Sequence, residues 1–134
     1  MARDEELPGA ELVPLAEPRP LAGMERALAE YLARGPLASP GLDAQVDAAM
    51  VVGTCSCGCP SVFLEVDPSV PDVTFASEEV AGAPTVPFAL SAYQESGDEA
   101  SVKLHIVQGR LAELEIWAGF GVRPRIELAN LEYV

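Results

Sequence analysis

Apolar residues first recur at helical spacing between Leu21 and Arg34, where Leu21, Met24, Leu28, Tyr31 and Leu32 fall on one face. Glu30 and Arg34 stand four apart, and Gly35-Pro36 closes the element. A second helix is expected after Ser39 as N-cap and Pro40 at the first helical position, with Leu42, Val46, Ala49 and Met50 as its stripe. Both stripes are one-sided, so each helix needs a surface to lie on. After Gly53 the period changes to two. Val62, Leu64 and Val66 alternate with Phe63, Glu65 and Asp67, "VTFA" at 73–76 is a short strand candidate, and Phe88, Leu90 and Ala92 alternate with Ala89, Ser91 and Tyr93.

The clearest element is the hairpin "SVKLHIVQGRLAELEIWAG". Val102, Leu104 and Ile106 share one face of its first strand; Ala112, Leu114, Ile116 and Ala118 share one face of its second. A two-residue turn at Gln108-Gly109 would set even positions opposite odd ones and expose half of these side chains, so parity excludes it. The pattern therefore predicts a three-residue loop, Val107-Gln108-Gly109, with Gly109 in the left-handed conformation. That register places Lys103 opposite Glu113. In the tail "VRPRIELANLEYV", Ile126 and Leu128 alternate with Glu127 and suggest an edge strand.

Two helices followed by strands predict an α+β fold, with both N-terminal helices packed on one face of an antiparallel, hairpin-rich sheet of about five strands. Residues 1–20 are rich in Pro and Glu and read as an extended arm; residues 21–134 form the single domain. At 134 residues the chain can bury roughly two thirds of its unfolded surface, enough to fold without disulfides.

Charge narrows the partners. Eight basic residues against 21 acidic ones give a net charge of −13, which opposes nucleic acids and anionic membranes and suits solubility, a basic protein partner or, more remotely, mimicry of DNA. The N-terminus lacks the basic start and apolar run of a signal peptide, so a cytoplasmic location is expected.

The candidate chemistry lies in "GTCSCGCPS", where Cys55, Cys57 and Cys59 stand two apart. Zinc bound by thiolates at about 2.3 Å brings sulfurs to about 3.8 Å from one another, whereas alternate residues of a strand are ~6.6 Å apart. An extended segment could not wrap one ion. It would have to bend, with Gly58 and Pro60 to help, and His105, the one histidine, or a carboxylate would be the fourth ligand of a zinc site. A redox pair lacks the C-x-x-C spacing at a helix start, and a catalytic cysteine would need His105 as its base. The remaining reading is three small buried side chains with no cofactor.

A second candidate is the face opposite the core. There Glu113, Glu115 and Trp117 point outward beside Lys103 and His105, a composition suited to protein recognition unless the N-terminal arm or the C-terminal tail covers Trp117. The Cys57-Gly58-Cys59-Pro60-Ser61 segment and the hairpin from Gly109 to Trp117 resemble a group of small actinobacterial proteins, over residues 41–119. That resemblance implies no particular activity. The small, acidic α+β design also resembles immunity proteins of bacterial toxin systems. The leading expectation is a non-catalytic cytosolic protein-binding module, regulatory or immunity-like. The alternative is a metal-binding or thiol-dependent protein using Cys55, Cys57 and Cys59. The chain has no phosphate-binding glycine loop, G-x-S-x-G elbow or H-E-x-x-H motif.

Overall fold

The computed structural model describes residues 12–36, 41–73 and 88–134. In chain order it contains β1 (Leu12–Pro20), α1 (Met24–Ala33), α2 (Leu42–Ala48), β2 (Met50–Cys55), β3 (Val62–Glu65), β4 (Phe88–Gln94), β5 (Ala100–Val107), β6 (Arg110–Trp117) and β7 (Leu131–Tyr133). The strands form one antiparallel sheet in the order β1-β2-β3-β6-β5-β4-β7. The fold is therefore α+β, with seven strands among the described residues rather than about five.

The added strands have local causes. Leu12–Pro20 pairs with β2 as an edge strand, a place where its prolines cost no ladder bond. Its register shifts between Pro14 and Arg19. Strand β2 begins at Met50, a residue expected to end the second helix. That helix starts at Leu42 behind a left-handed Gly41 and stops after Ala48; the proposed cap at Ser39 and Pro40 falls outside the described residues. So does "VTFA" beyond Val73, which is itself buried and not in a strand.

The core follows the alternation. Leu28 and Leu32 of α1, Leu42 and Val46 of α2, and Val51, Val62, Leu64, Leu90, Val102, Leu104, Leu114 and Ile116 of the strands belong to one buried cluster. Met24, expected on the buried stripe of α1, is 46% exposed, and Glu30 pairs back with Arg26 at 2.8 Å rather than forward with Arg34. The tail strand forms at Leu131–Tyr133, after a turn at Leu128–Asn130, not at Ile126–Leu128. It pairs with β4 and is tied to α1: the rings of Tyr133 and Tyr31 stack with centroids 4.5 Å apart, and each hydroxyl donates to the other segment's backbone.

The β5–β6 hairpin solves the parity problem differently from the sequence prediction. Val107 pairs with Arg110, so the turn has two residues, Gln108 and Gly109, with φ of 53° and 79°. Both positive values make a turn whose twist matches the flanking strands. The register then shifts between His105 and Ile106, where Ala112 is the extra residue of a bulge. The bulge puts Leu111 in the core in place of Ala112 and sets Leu104 opposite Leu114, Val102 opposite Ile116 and Lys103 opposite Glu115. The inward set is thus nearly as expected, reached by another turn.

Two buried glutamines fasten the ends of the sheet. Gln45 on α2 donates to the carbonyls of Pro71 and Gly109 and accepts the Leu111 N–H, at 2.8 to 2.9 Å. Gln94 on β4 does the same for Asp98, Arg125 and Glu127. No buried side-chain nitrogen or oxygen among the described residues lacks a partner. None of the described helices is long and apolar enough to cross a membrane.

A candidate thiol site on the sheet

Strand β2 ends at Cys55 and the chain turns at once. The Gly58 N–H bonds the Cys55 carbonyl at 3.2 Å, and Gly58 has φ of 91°, a conformation that favours glycine. The turn folds the segment back on itself instead of leaving it extended. As a result the sulfurs of Cys55, Cys57 and Cys59 all lie within 4.8 Å of one another. The Cys55 and Cys57 sulfurs are 3.3 Å apart, and the Cys59 N–H donates to the Cys57 sulfur at 3.3 Å. This corrects the expectation that strand geometry would hold the thiols apart. Glycine and proline inside a short motif let it depart from the spacing that alternation would impose.

A second segment holds the turn in place. The loop after β6 runs against it: a Cβ added to Gly121 would come 3.1 Å from the Cys57 carbonyl, and Arg123 donates to the Gly58 carbonyl at 2.9 Å. On the other side, the buried Ser61 hydroxyl accepts the Ile116 N–H at 2.8 Å, donates to the Ile116 carbonyl at 3.2 Å, and lies 3.4 Å from the Cys59 sulfur. Ser61 thereby joins the cysteine segment to β6 just before the strand pairing of Val62 with Leu114 begins.

The thiols are not equivalent. Burial pushes Cys55 up to about 12. Burial also works against ionisation of Cys57, but the N–H groups of Gly121 and Cys59 and the neighbouring thiols outweigh it and bring Cys57 down to about 7. Cys57 therefore ionises more readily than Cys55, whose thiol can donate to it.

The two candidate regions turn out to be one place. Cys55, Cys57 and Cys59 line a cavity of about 220 Å³ together with Phe63, Glu113, Glu115, Trp117 and Phe120. Neighbouring strands explain this: Phe63 on β3 pairs with Glu113 on β6, so their side chains share a face with the end of β2. Trp117 is 38% exposed and meets the edge of Phe120 at 5.1 Å between centroids; Phe120 is 65% exposed. Phe63, Ser61 and Phe120 were not among the expected site residues. Alternation from Val62 already put Phe63 on the outer face, whereas nothing in "GFGV" indicated where Phe120 would lie.

His105 does not join the sulfurs. It stands on β5 opposite Glu113, and its Nε2 lies 2.7 Å from Glu115 Oε1. The metal-ligand group found among the described residues is the three cysteines alone. The bond to Glu115 raises His105 above its ordinary range and, in return, lowers Glu115. Burial raises Glu113. The pocket thus sets three sulfurs against one readily ionised carboxylate, one carboxyl inclined to hold its proton, and aromatic walls. Comparison of the chain with protein-family models, curated proteins and solved structures gave no match.

Proposed function

We propose that this protein binds a soft, thiophilic metal ion through Cys55, Cys57 and Cys59. The observation that carries this reading is the gathering of three sulfurs within 4.8 Å. Ligand bonds of about 2.3 Å require sulfurs about 3.8 to 4.0 Å apart, so small movements would close the group around one ion. Thiolates select ions such as Cu(I) and Zn(II) over the hard cations that prefer oxygen. With Cys57 already ionisable near neutral pH, less proton release opposes binding. Three protein donors leave a further position, which an outside ligand can fill. Of the two fourth ligands expected, His105 or a carboxylate, His105 is engaged with Glu115. A reducing cytoplasm suits such a site, because it keeps the thiols available.

Metal analysis tests this reading. Protein purified without chelators and titrated with Zn(II), and anaerobically with Cu(I), should retain about one ion per chain, and Cys57→Ser should retain far less. Wild-type protein that retains neither ion, with stability unchanged by a strong chelator, would end the proposal.

A second reading, docking of a basic protein partner in a regulatory or immunity-like role, is favoured by the exposed Trp117–Phe120 pair beside two carboxylates. The packing expected from sequence, with both helices over one face, leaves this opposite face for a partner. Affinity capture from the native cell should then yield a stoichiometric partner that Trp117→Ala loses and Cys57→Ser keeps. Loss with Cys57→Ser alone would assign the surface to the metal site instead.

A further inference from the structure

On a chain with 21 acidic residues and seven arginines, three of those arginines line a single cavity. It measures about 690 Å³, within the range of small-molecule sites. It opens between the start of α1 and the segment 123–126, and shares no lining residue with the thiol pocket. Its apolar lining is Met24, 46% exposed, with the largely buried Ile116 and Ile126; Leu28, also at this wall, is fully buried.

The cations at the rim differ in how far they are already engaged. Arg19 is committed to Glu25 through two hydrogen bonds of 2.8 and 2.9 Å, which also holds that carboxylate ionised. Arg123 gives one N–H to the Gly58 carbonyl and keeps the rest of its fork. Arg125 is 84% exposed, and Glu127 lies 3.9 Å away, too far for a hydrogen bond. Of the three guanidinium groups, Arg19 is neutralised by Glu25 and Arg125 has Glu127 at ion-pair distance and Asp98 on its backbone N–H, which leaves Arg123 without a carboxylate partner among the described residues.

We infer that this cavity binds a small organic anion, with its apolar body against Met24, Ile116 and Ile126 and its carboxylate in the forks of Arg123 and Arg125. Two features select that class together. The guanidinium fork matches a carboxylate through paired hydrogen bonds, and the apolar wall rewards a hydrocarbon body that a bare inorganic anion lacks. The field of the rest of the chain repels anions, so a cationic rim of this kind makes the cavity the favourable place for one.

Calorimetric titration with decanoate tests the inference, with decan-1-ol as the body without the charge and acetate as the charge without the body. Decanoate should bind saturably at one site, at least tenfold more tightly than either control. Arg123→Gln with Arg125→Gln should weaken it at least tenfold. Because Arg123 also holds Gly58, Arg125→Gln alone is the second variant; its side chain is solvent-exposed, and it should weaken decanoate at least threefold with an unchanged unfolding midpoint. Absence of saturable decanoate binding would overturn the inference. So would equal affinity for decan-1-ol, or undiminished binding in Arg125→Gln.

Discussion

Gln45→Leu probes the link between α2 and the hairpin that carries Glu113, Glu115 and Trp117. The wild-type amide is fully buried and makes three hydrogen bonds, two as donor and one as acceptor. Leucine fits the same space but leaves the Leu111 N–H and the Pro71 carbonyl without these bonds. The Gly109 carbonyl still accepts the Val73 N–H at 2.8 Å. Each stranded buried group costs about 1–3 kcal/mol, partly offset by the gain from burying an apolar side chain in place of an amide. The net loss should be about 2–3 kcal/mol, a large share of the roughly 5–15 kcal/mol that holds a domain together. In urea, with a slope of about 1–3 kcal/mol per molar, the midpoint should fall by about 1 M at constant slope. An unchanged or higher midpoint would show that the three bonds contribute nothing net, and that apolar packing alone seats the hairpin.

Two further outcomes follow from the same structure. Gly109→Ala forces a side chain into a left-handed turn position, with its Cβ 2.9 Å from the Asp72 Cβ, and should cost about 1–2 kcal/mol in a denaturant melt. The His105–Glu115 pair stabilises the fold when Glu115 is ionised and His105 is protonated. Since Glu115 is lowered and His105 raised, its contribution is fully present between about pH 4.5 and 6.5. It is lost as pH rises through the folded-state value of His105, or falls through that of Glu115. With both side chains nearly a third exposed, that loss should be about 0.5–1 kcal/mol as pH rises past about 6.5 and through the folded-state value of His105. Glu115→Gln should reduce this pH dependence. Glu113, raised by burial, contributes a loss of the same sign as it ionises.

Much of the fold was legible because alternation and helical spacing are direct records of burial. Leu28 and Leu32, Val62 and Leu64, and Val102, Leu104 and Ile106 are buried as their spacing implied. The hairpin turn differs from the sequence expectation because parity can be restored by a third loop residue or by a bulge, and periodicity does not distinguish the two. The bulge moves Lys103 from Glu113 to Glu115 without turning Leu114 or Ile116 outward. Met50 continued a helical stripe yet became strand, since an apolar residue at an element boundary fits both periods. For the site, the residue types were visible and their union was not. The cysteines and the Glu113–Trp117 face are more than fifty residues apart in the chain, and only the antiparallel joining of β3 to β6 makes them neighbours. Extended geometry argued against a sulfur cluster, but a single turn closed by the Gly58 N–H was enough to create one.

X-ray absorption at the metal edge, on protein carrying one equivalent of Zn(II) or Cu(I), addresses the thiol site most directly. Three sulfur neighbours at about 2.2–2.3 Å are expected, with one sulfur lost in Cys57→Ser. A shell of oxygen and nitrogen, or a single sulfur, would contradict binding by Cys55, Cys57 and Cys59 together.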